Sequence, residues 1–301
     1  MAKPSPWRPN ACREAFMRLP SSPMCFVILA MVALLPACAS APLVQGNGLT
    51  SYETMKSSDG WFTKTRLSVN KEQVLAAKTI KIVPTAFAPT VAPKLSEQQR
   101  ALVANAVDRA LCVGLSDRFT VVTPDSQADL TVRASITRAT ETGRVAAGLS
   151  AATSLGMSLV DTAVPIPTPR IPIGMGSLSL EAEAVDVAGQ QQASILWARG
   201  ANAFFSSARI SKVSDAYDLA DSFGEDFGEL LVKGESPFDS SGIGLPAWHK
   251  IKSSVGLRPK NAACEQFGRY RGLKGMIGDQ LALPPEWTDN GAQKTAQTAR
   301  P

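Results

Sequence analysis

Histidine is nearly missing from this chain: His249 is the only one in 301 residues. A metal site needs several imidazoles, thiolates or carboxylates at coordinating spacing, and Ser-His-Asp or Cys-His catalysis would have to take His249 as its base. With Trp248 and Lys250 beside it, His249 reads as a structural or surface residue. No Gly-x-Ser-x-Gly elbow precedes a helix, and "GLKGMIG" lacks the spacing of a phosphate loop, so its glycines read as turns. The apolar run Met24 to Leu35 is too short to span: as a helix it covers about 18 Å against a hydrocarbon core of about 30 Å. A basic excess is also lacking once the N-terminal leader is set aside. Residues 1–37 hold Lys3, Arg8, Arg13 and Arg18 against Glu14, and without them the net charge of +5 falls by 3 to +2. Nucleic acid is therefore excluded as a partner, because a binding face shows as a strong basic excess or stripe.

What the leader does contain is an order of segments. Basic residues come first, the apolar run follows, and small residues close it at Pro36-Ala37-Cys38. That is the order of a secretory signal rather than of a fold element. Leu35-Pro36-Ala37-Cys38 resembles the lipobox of bacterial lipoproteins, which implies cleavage before Cys38 and acylation of its sulfur. Ala39 in place of aspartate implies sorting to the outer membrane rather than the inner. Several acyl chains at about 0.8 kcal/mol per buried methylene make dissociation negligible. Met17-Arg18 directly precedes a conventional signal, so Met17 competes with Met1 as the start.

With Cys38 acylated, Cys112 and Cys264 remain as a pair, and an oxidising compartment favours bonding them. Ser96 to Asp117 reads as a helix opened by a Ser96/Gln99 capping box. Its apolar stripe is Val103, Val107, Ala110, Leu111 and Gly114, and at about 100° per residue Cys112 falls opposite Val103, on the polar face with Asn105 and Asp108. A cysteine expected at the surface of a secreted protein is better explained by a bond than by packing. Such a bond would strap the C-terminal segment over the helix, and chain entropy for a loop of this length gives at most about 5 kcal/mol.

Period-two and helical patterns lay out the rest. "KTIKIVPTAF" is a strand ending at Pro84 and "RFTVVTP" a short strand. "ADLTVRASITRA" alternates Leu130, Val132, Ala134 and Ile136 with polar residues. "SLSLEAEAVDV" and "SILWARGANAFF" read as a hairpin about Ala188-Gly189. Ala216, Leu219, Phe223, Phe227 and Leu230 form one helical stripe, which closes at Lys233-Gly234. The order β-α-β-β-β-β-α predicts an α+β fold: an antiparallel-rich sheet with two main helices on one face and an irregular C-terminal segment. The expected division is a signal peptide at 1–37, a flexible tether at 38–58 and an α+β domain at 59–234. An Ala/Gly/Pro-rich insertion at 143–176 interrupts that domain, a basic segment at 235–287 packs on it, and a disordered tail closes the chain at 288–301.

The strand "IKIVPTAF", the helix "LSEQQRALVANAVDRAL", the pair "FTVVTPDSQADLTVRASITRA" and the later "SLSLEAEAVD", together with Leu49-Thr50-Ser51-Tyr52, resemble an uncharacterised family of bacterial envelope lipoproteins of the DUF3313 type, over roughly residues 49–232. The resemblance implies lipidation and the α+β plan, and supplies no activity or catalytic residue. Glu181 and Glu183 point to one side of a strand, as paired acid/base carboxylates could. The ordinary explanation is a solvated face shared with Ser177 and Ser179. The expectation is a non-catalytic envelope lipoprotein without a cofactor, held on the membrane through Cys38 and binding an envelope protein or polymer. Lys250, Lys252, Arg258, Lys260, Arg269, Arg271 and Lys274 could meet anionic polymers or headgroups. Residues 145–176 could interlock copies in a self-associating assembly, and a hydrolase of unrecognised type is the remaining alternative.

Overall fold

The computed structural model describes residues 41–88, 90–144, 147–149, 173–202, 209–239, 262–267 and 281–289, all within the unit Cys38–Pro301. In chain order the elements are β1 (Lys56–Ser57), β2 (Thr63–Val69), α1 (Lys71–Ala76), β3 (Thr79–Ile82), β4 (Ala86–Phe87), α2 (Glu97–Leu115), β5 (Thr120–Val122), β6 (Leu130–Thr140), β7 (Ser177–Asp186), β8 (Gln191–Gly200) and α3 (Ser214–Lys233). A 3-10 helix over Ala262–Phe267 and α4 (Pro285–Thr288) follow.

Among the described residues the strands make one sheet, ordered β1-β2-β8-β7-β6-β3-β5, with β4 also on β6. The pairs from β1 through β2, β8 and β7 to β6 are antiparallel; β6 with β3, β3 with β5 and β4 with β6 are parallel. The fold is α+β, and the predicted order corresponds to β3-α2-β5-β6-β7-β8-α3. Among the described residues six elements escaped the pattern: β1, β2, α1, β4, the 3-10 helix and α4. In β2 the buried positions are Thr63, Thr65 and Leu67, so hydropathy alternation is faint where threonines turn inward. Around Pro84 the chain leaves the sheet after Ile82, opposite Val132, and rejoins β6 with Ala86 opposite Ser135. Proline, which has no N–H to give a ladder, sits in that gap.

The core lies between the sheet and α2 with α3. Leu178, Leu180, Ala182 and Ala184 of β7, Ile195 and Trp197 of β8, and Phe223 and Phe227 of α3 belong to one buried apolar cluster. Trp197 meets Phe223 edge-on at 5.7 Å between centroids and donates its indole N–H to Asp226 at 2.7 Å, which satisfies the one polar group its burial would otherwise strand. The helices cross closely at Gly224, where a Cβ would lie 2.4 Å from that of Ala110. Only glycine permits that approach. The predicted stripe of α3 is buried, and Gly234 closes the helix in the left-handed conformation.

The predicted capping box of α2 is present, with Ser96 and Gln99 bonding each other's backbone N–H. Its supposed outer face is corrected. Asn105, Asp108 and Cys112 are all buried, Cys112 completely at 0% exposed. Asn105 donates to the carbonyl of Phe267 at 3.0 Å, and Asp108 accepts from the amide and hydroxyl of Thr85 at 2.9 and 2.6 Å. Cys112 is bonded to Cys264. The 3-10 helix and the loop after β3 cover this side, so its polar residues face partners rather than water. The pairing read from the sequence is present, although the surface exposure argued for it is not.

Two expected boundaries also move. The flexible tether at 38–58 does not hold over 41–58, which is packed on the sheet, with Ala41, Leu49 and Met55 buried. The domain therefore begins well before Asp59. At the other end the disordered tail expected from residue 288 cannot begin there: Thr288 ends α4, and buried Asp289 takes a 2.6 Å bond from the hydroxyl of Tyr217 and lies 2.8 Å from the Arg109 guanidinium. Burial works against the charge on Arg109, but Tyr217 and Asp289 more than offset it and raise its pKa. Residues 1–40, most of the 143–176 insertion and 290–301 lie outside the described residues.

Candidate functional site

The other face of the sheet carries the chemistry. Alternation along β7 that sends Leu178, Leu180 and Ala182 to the helices sends Ser179, Glu181 and Glu183 the opposite way. The expected solvated face is overturned: both glutamates are 1% exposed. What covers them is the chain's own segment from Pro42 to Tyr52.

Glu181 accepts three hydrogen bonds. The amide of Gly46 donates to Oε2 at 2.8 Å, that of Gly48 to Oε1 at 2.7 Å, and the hydroxyl of Tyr52 to Oε2 at 2.8 Å. Glu183 takes the amide of Thr50 on Oε2 at 2.7 Å, and its Oε1 lies 3.6 Å from the exposed guanidinium of Arg133. Donors at 46, 48 and 50 thus share the period of two with the carboxylates at 181 and 183. The match arises because successive residues of an extended chain point to opposite sides. Flanking bonds extend the seam. The Ser179 hydroxyl donates to the carbonyl of Pro42 at 2.8 Å, while Gln191 accepts from the Ser51 amide at 3.1 Å and donates back to its carbonyl at 3.0 Å.

Close approach favours glycine at both positions, since a Cβ would have to displace a side chain of the clamp. A Cβ on Gly46 would fall 2.6 Å from the methyl of Thr137, and one on Gly48 would fall 2.6 Å from Glu181 Oε1. Burial, together with the adjacent Glu181 carboxylate, pushes the Tyr52 phenol above its ordinary pKa, against the opposing pull of the Leu49 amide. Tyr52 therefore keeps its proton and serves as a donor. A small apolar cluster of Leu49, Met55 and Leu196 closes the same seam.

This arrangement can hold a chain firmly. As general acid or base it is poorly placed, since each carboxylate is occupied by amide donors and shut away from solvent. Where segment 41–58 leaves the sheet, Ala41, Trp61, Phe62, Lys64 and Ala198 line a shallow cleft.

The remaining candidates are quickly placed. Cys112 and Cys264 are joined beneath the C-terminal strap. Cys38, His249 and the basic residues Lys250, Lys252, Arg258, Lys260, Arg269, Arg271 and Lys274 lie outside the described residues. Among the described residues, no group of three or more His, Cys, Asp or Glu side chains could hold a metal ion, and no helix is long and apolar enough to cross a membrane. The clamp itself was missed by sequence reasoning. Its signal was there in "GNGLT" and "EAE", two period-two patterns that only the fold brings together.

Comparison with known proteins adds three findings. The sequence profile of the family described as "Protein of unknown function (DUF3313)" matches residues 46–227. None of the curated proteins matches the sequence. Among solved structures, the PelC dodecamer from Paraburkholderia phytofirmans is similar at 13% identity with a TM-score of 0.29, over 54% of this chain and 96% of that one. A single-substitution variant of it gives 12%, 0.32, 54% and 95%. Protein XCC0632 from Xanthomonas campestris, of family DUF330, gives 11% and 0.28 over 52% of this chain and 86% of that one.

Proposed function

The chain belongs to the DUF3313 family of proteins of unknown function, and from that footing we propose that it is a lipid-anchored protein of the bacterial cell envelope. In this reading acylated Cys38 holds it on the outer membrane, facing the periplasm, and its work is binding or scaffolding rather than catalysis. The observation that carries this reading is the clamp. Segment 41–55 follows Cys38 by three residues and is fixed to the sheet by Glu181 and Glu183. A protein hanging from a loose linker has no use for two buried carboxylates spent on the linker's amides. One that must stand at a set height and orientation on its anchor does.

The matched residues begin at Gly46 and so take in both halves of the clamp. Occupation of Glu181 and Glu183 by amides argues against their use as a catalytic pair, and it supports a role in binding, with an envelope protein or polymer as the partner.

Mass spectrometry of protein expressed with its leader in a Gram-negative host tests the anchor. The expected N-terminal peptide begins at an acylated Cys38, and Cys38→Ser shifts the protein out of the membrane fraction. A first residue other than Cys38, or a bare thiol there, contradicts the proposal. Turnover of any member of an ester, amide and glycoside panel, lost on a single substitution, contradicts the non-catalytic part.

A further inference from the structure

We infer that Trp61 and Phe62 seat in the headgroup layer of the membrane that holds the anchor, giving the body a second, aromatic point of contact with lipid. The inference rests on acylation of Cys38. Its independent observation is the exposure of Trp61: the loop joining β1 to β2 presents the indole 98% exposed, with Phe62 beside it also exposed. A tryptophan left in water at a loop tip has no folding role, since it covers nothing and fills nothing.

Where it sits gives it a partner. Ala41 is buried at 3% exposed and lines the same cleft as Trp61, Phe62 and Lys64. Ala41 lies three residue steps after Cys38, and three steps reach at most about 11 Å when fully extended. With acyl chains on Cys38 in the hydrocarbon, Ala41 is thus confined to within about two interfacial layers of the hydrocarbon boundary, each layer being about 5–7 Å thick. A flexible tether would have left the bilayer free to lie anywhere around the body. The clamp removes that freedom and brings this cleft to the lipid.

The chemistry of the cleft suits that surface. Tryptophan is favoured at membrane interfaces, where its apolar ring and N–H both find partners. Lys64 is exposed on the cleft wall, and the Arg199 guanidinium stands 6.0 Å from the centre of the Phe62 ring, so cations flank the aromatics where anionic headgroups would lie. Asp59 of the same loop also lines the cleft, and its carboxylate is engaged by the Thr65 amide at 2.8 Å, which tempers its charge beside Lys64.

The test uses the processed full chain, reconstituted in phosphatidylethanolamine and phosphatidylglycerol vesicles whose acyl chains carry bromine. Tryptophan emission is compared between the wild type and Trp61→Ala, and the mass of the Cys38 peptide is taken from the same samples. The expected result is bromolipid quenching of the wild type, most of it lost in Trp61→Ala, with Trp61→Asp behaving as Trp61→Ala does. Replacing so exposed a residue leaves the fold intact, which circular dichroism verifies. Equal quenching in wild type and Trp61→Ala, with Cys38 acylated, overturns the aromatic seat and leaves the anchor standing. A Cys38 without acyl chains overturns both.

Discussion

The two faces of the sheet are held by different physics. Toward the helices, Leu178, Leu180, Ala182 and Ala184 meet Phe223 and Phe227 in a cluster that gains by removing apolar area from water. Toward the N-terminal segment, Glu181 and Glu183 meet backbone amides and a phenol, and Ser179 of the same ten-residue strand meets a backbone carbonyl, all at 2.7–2.8 Å. The first kind of contact is non-directional and accepts another side chain of similar volume. The second is directional. It needs an acceptor that can take donors on both oxygens, which a carboxylate supplies, and room where the backbone comes close. One strand thus carries the element that makes the domain fold and the element that fixes where its N-terminus leaves.

The comparison predicts different failures on the two sides. Phe223→Ala should cost the most, about 3–5 kcal/mol, read as a drop in global stability by urea denaturation followed at any probe. Glu181→Gln should cost about 2–3 kcal/mol, because the amide places an N–H₂ against an N–H donor and leaves it unpaired. That loss is local: limited proteolysis should nick residues 41–55 while the helix-face core stays intact. Global unfolding of Glu181→Gln with no separate release of the segment would break the distinction between the faces.

Asp108 sharpens the comparison on the helix side by changing a slope. Burial pushes its carboxyl up to about 7, against the pull of the Thr85 bonds. A folded-state value above the unfolded one, about 3.9, means that the native state binds the extra proton between the two values. Its contribution is fully present below about pH 4 and is lost as pH rises through about 7. Asp108→Asn keeps an acceptor for Thr85 and should flatten that part of the stability profile, a difference measured by denaturation at a series of pH values. The smallest effect belongs to Glu183→Gln, about 1 kcal/mol, since Glu183 holds one amide and a guanidinium that is largely solvated. It should speed exchange at Thr50 more than at Gly46.

Periodicity made the helix face legible. Alternation in β6 and β7 and the stripe of α3 place the core residues where they lie, because apolar burial is what such patterns record. The second face was opaque for the same reason. Glutamates at positions two apart on a strand carry the signature of a surface whether they meet water or a buried amide, and Gly46 and Gly48 carry that of a loose linker. Telling these apart needs the contact between residues some 130 positions apart in sequence. Cys112 teaches a related lesson. Helical geometry placed it opposite the apolar stripe correctly, but what covers that side is the distant strap from Ala262 to Phe267. No local pattern in α2 announces it.

Native-state hydrogen exchange at the amides of Gly46, Gly48 and Thr50 tests the clamp most directly. Held by carboxylates that accept at 2.7–2.8 Å, they should exchange about a hundredfold or more slower than an unprotected chain, and Glu181→Gln should abolish the protection at Gly46 and Gly48. Exchange of all three at the unprotected rate in the wild type would contradict the account, leaving the segment after Cys38 a free linker.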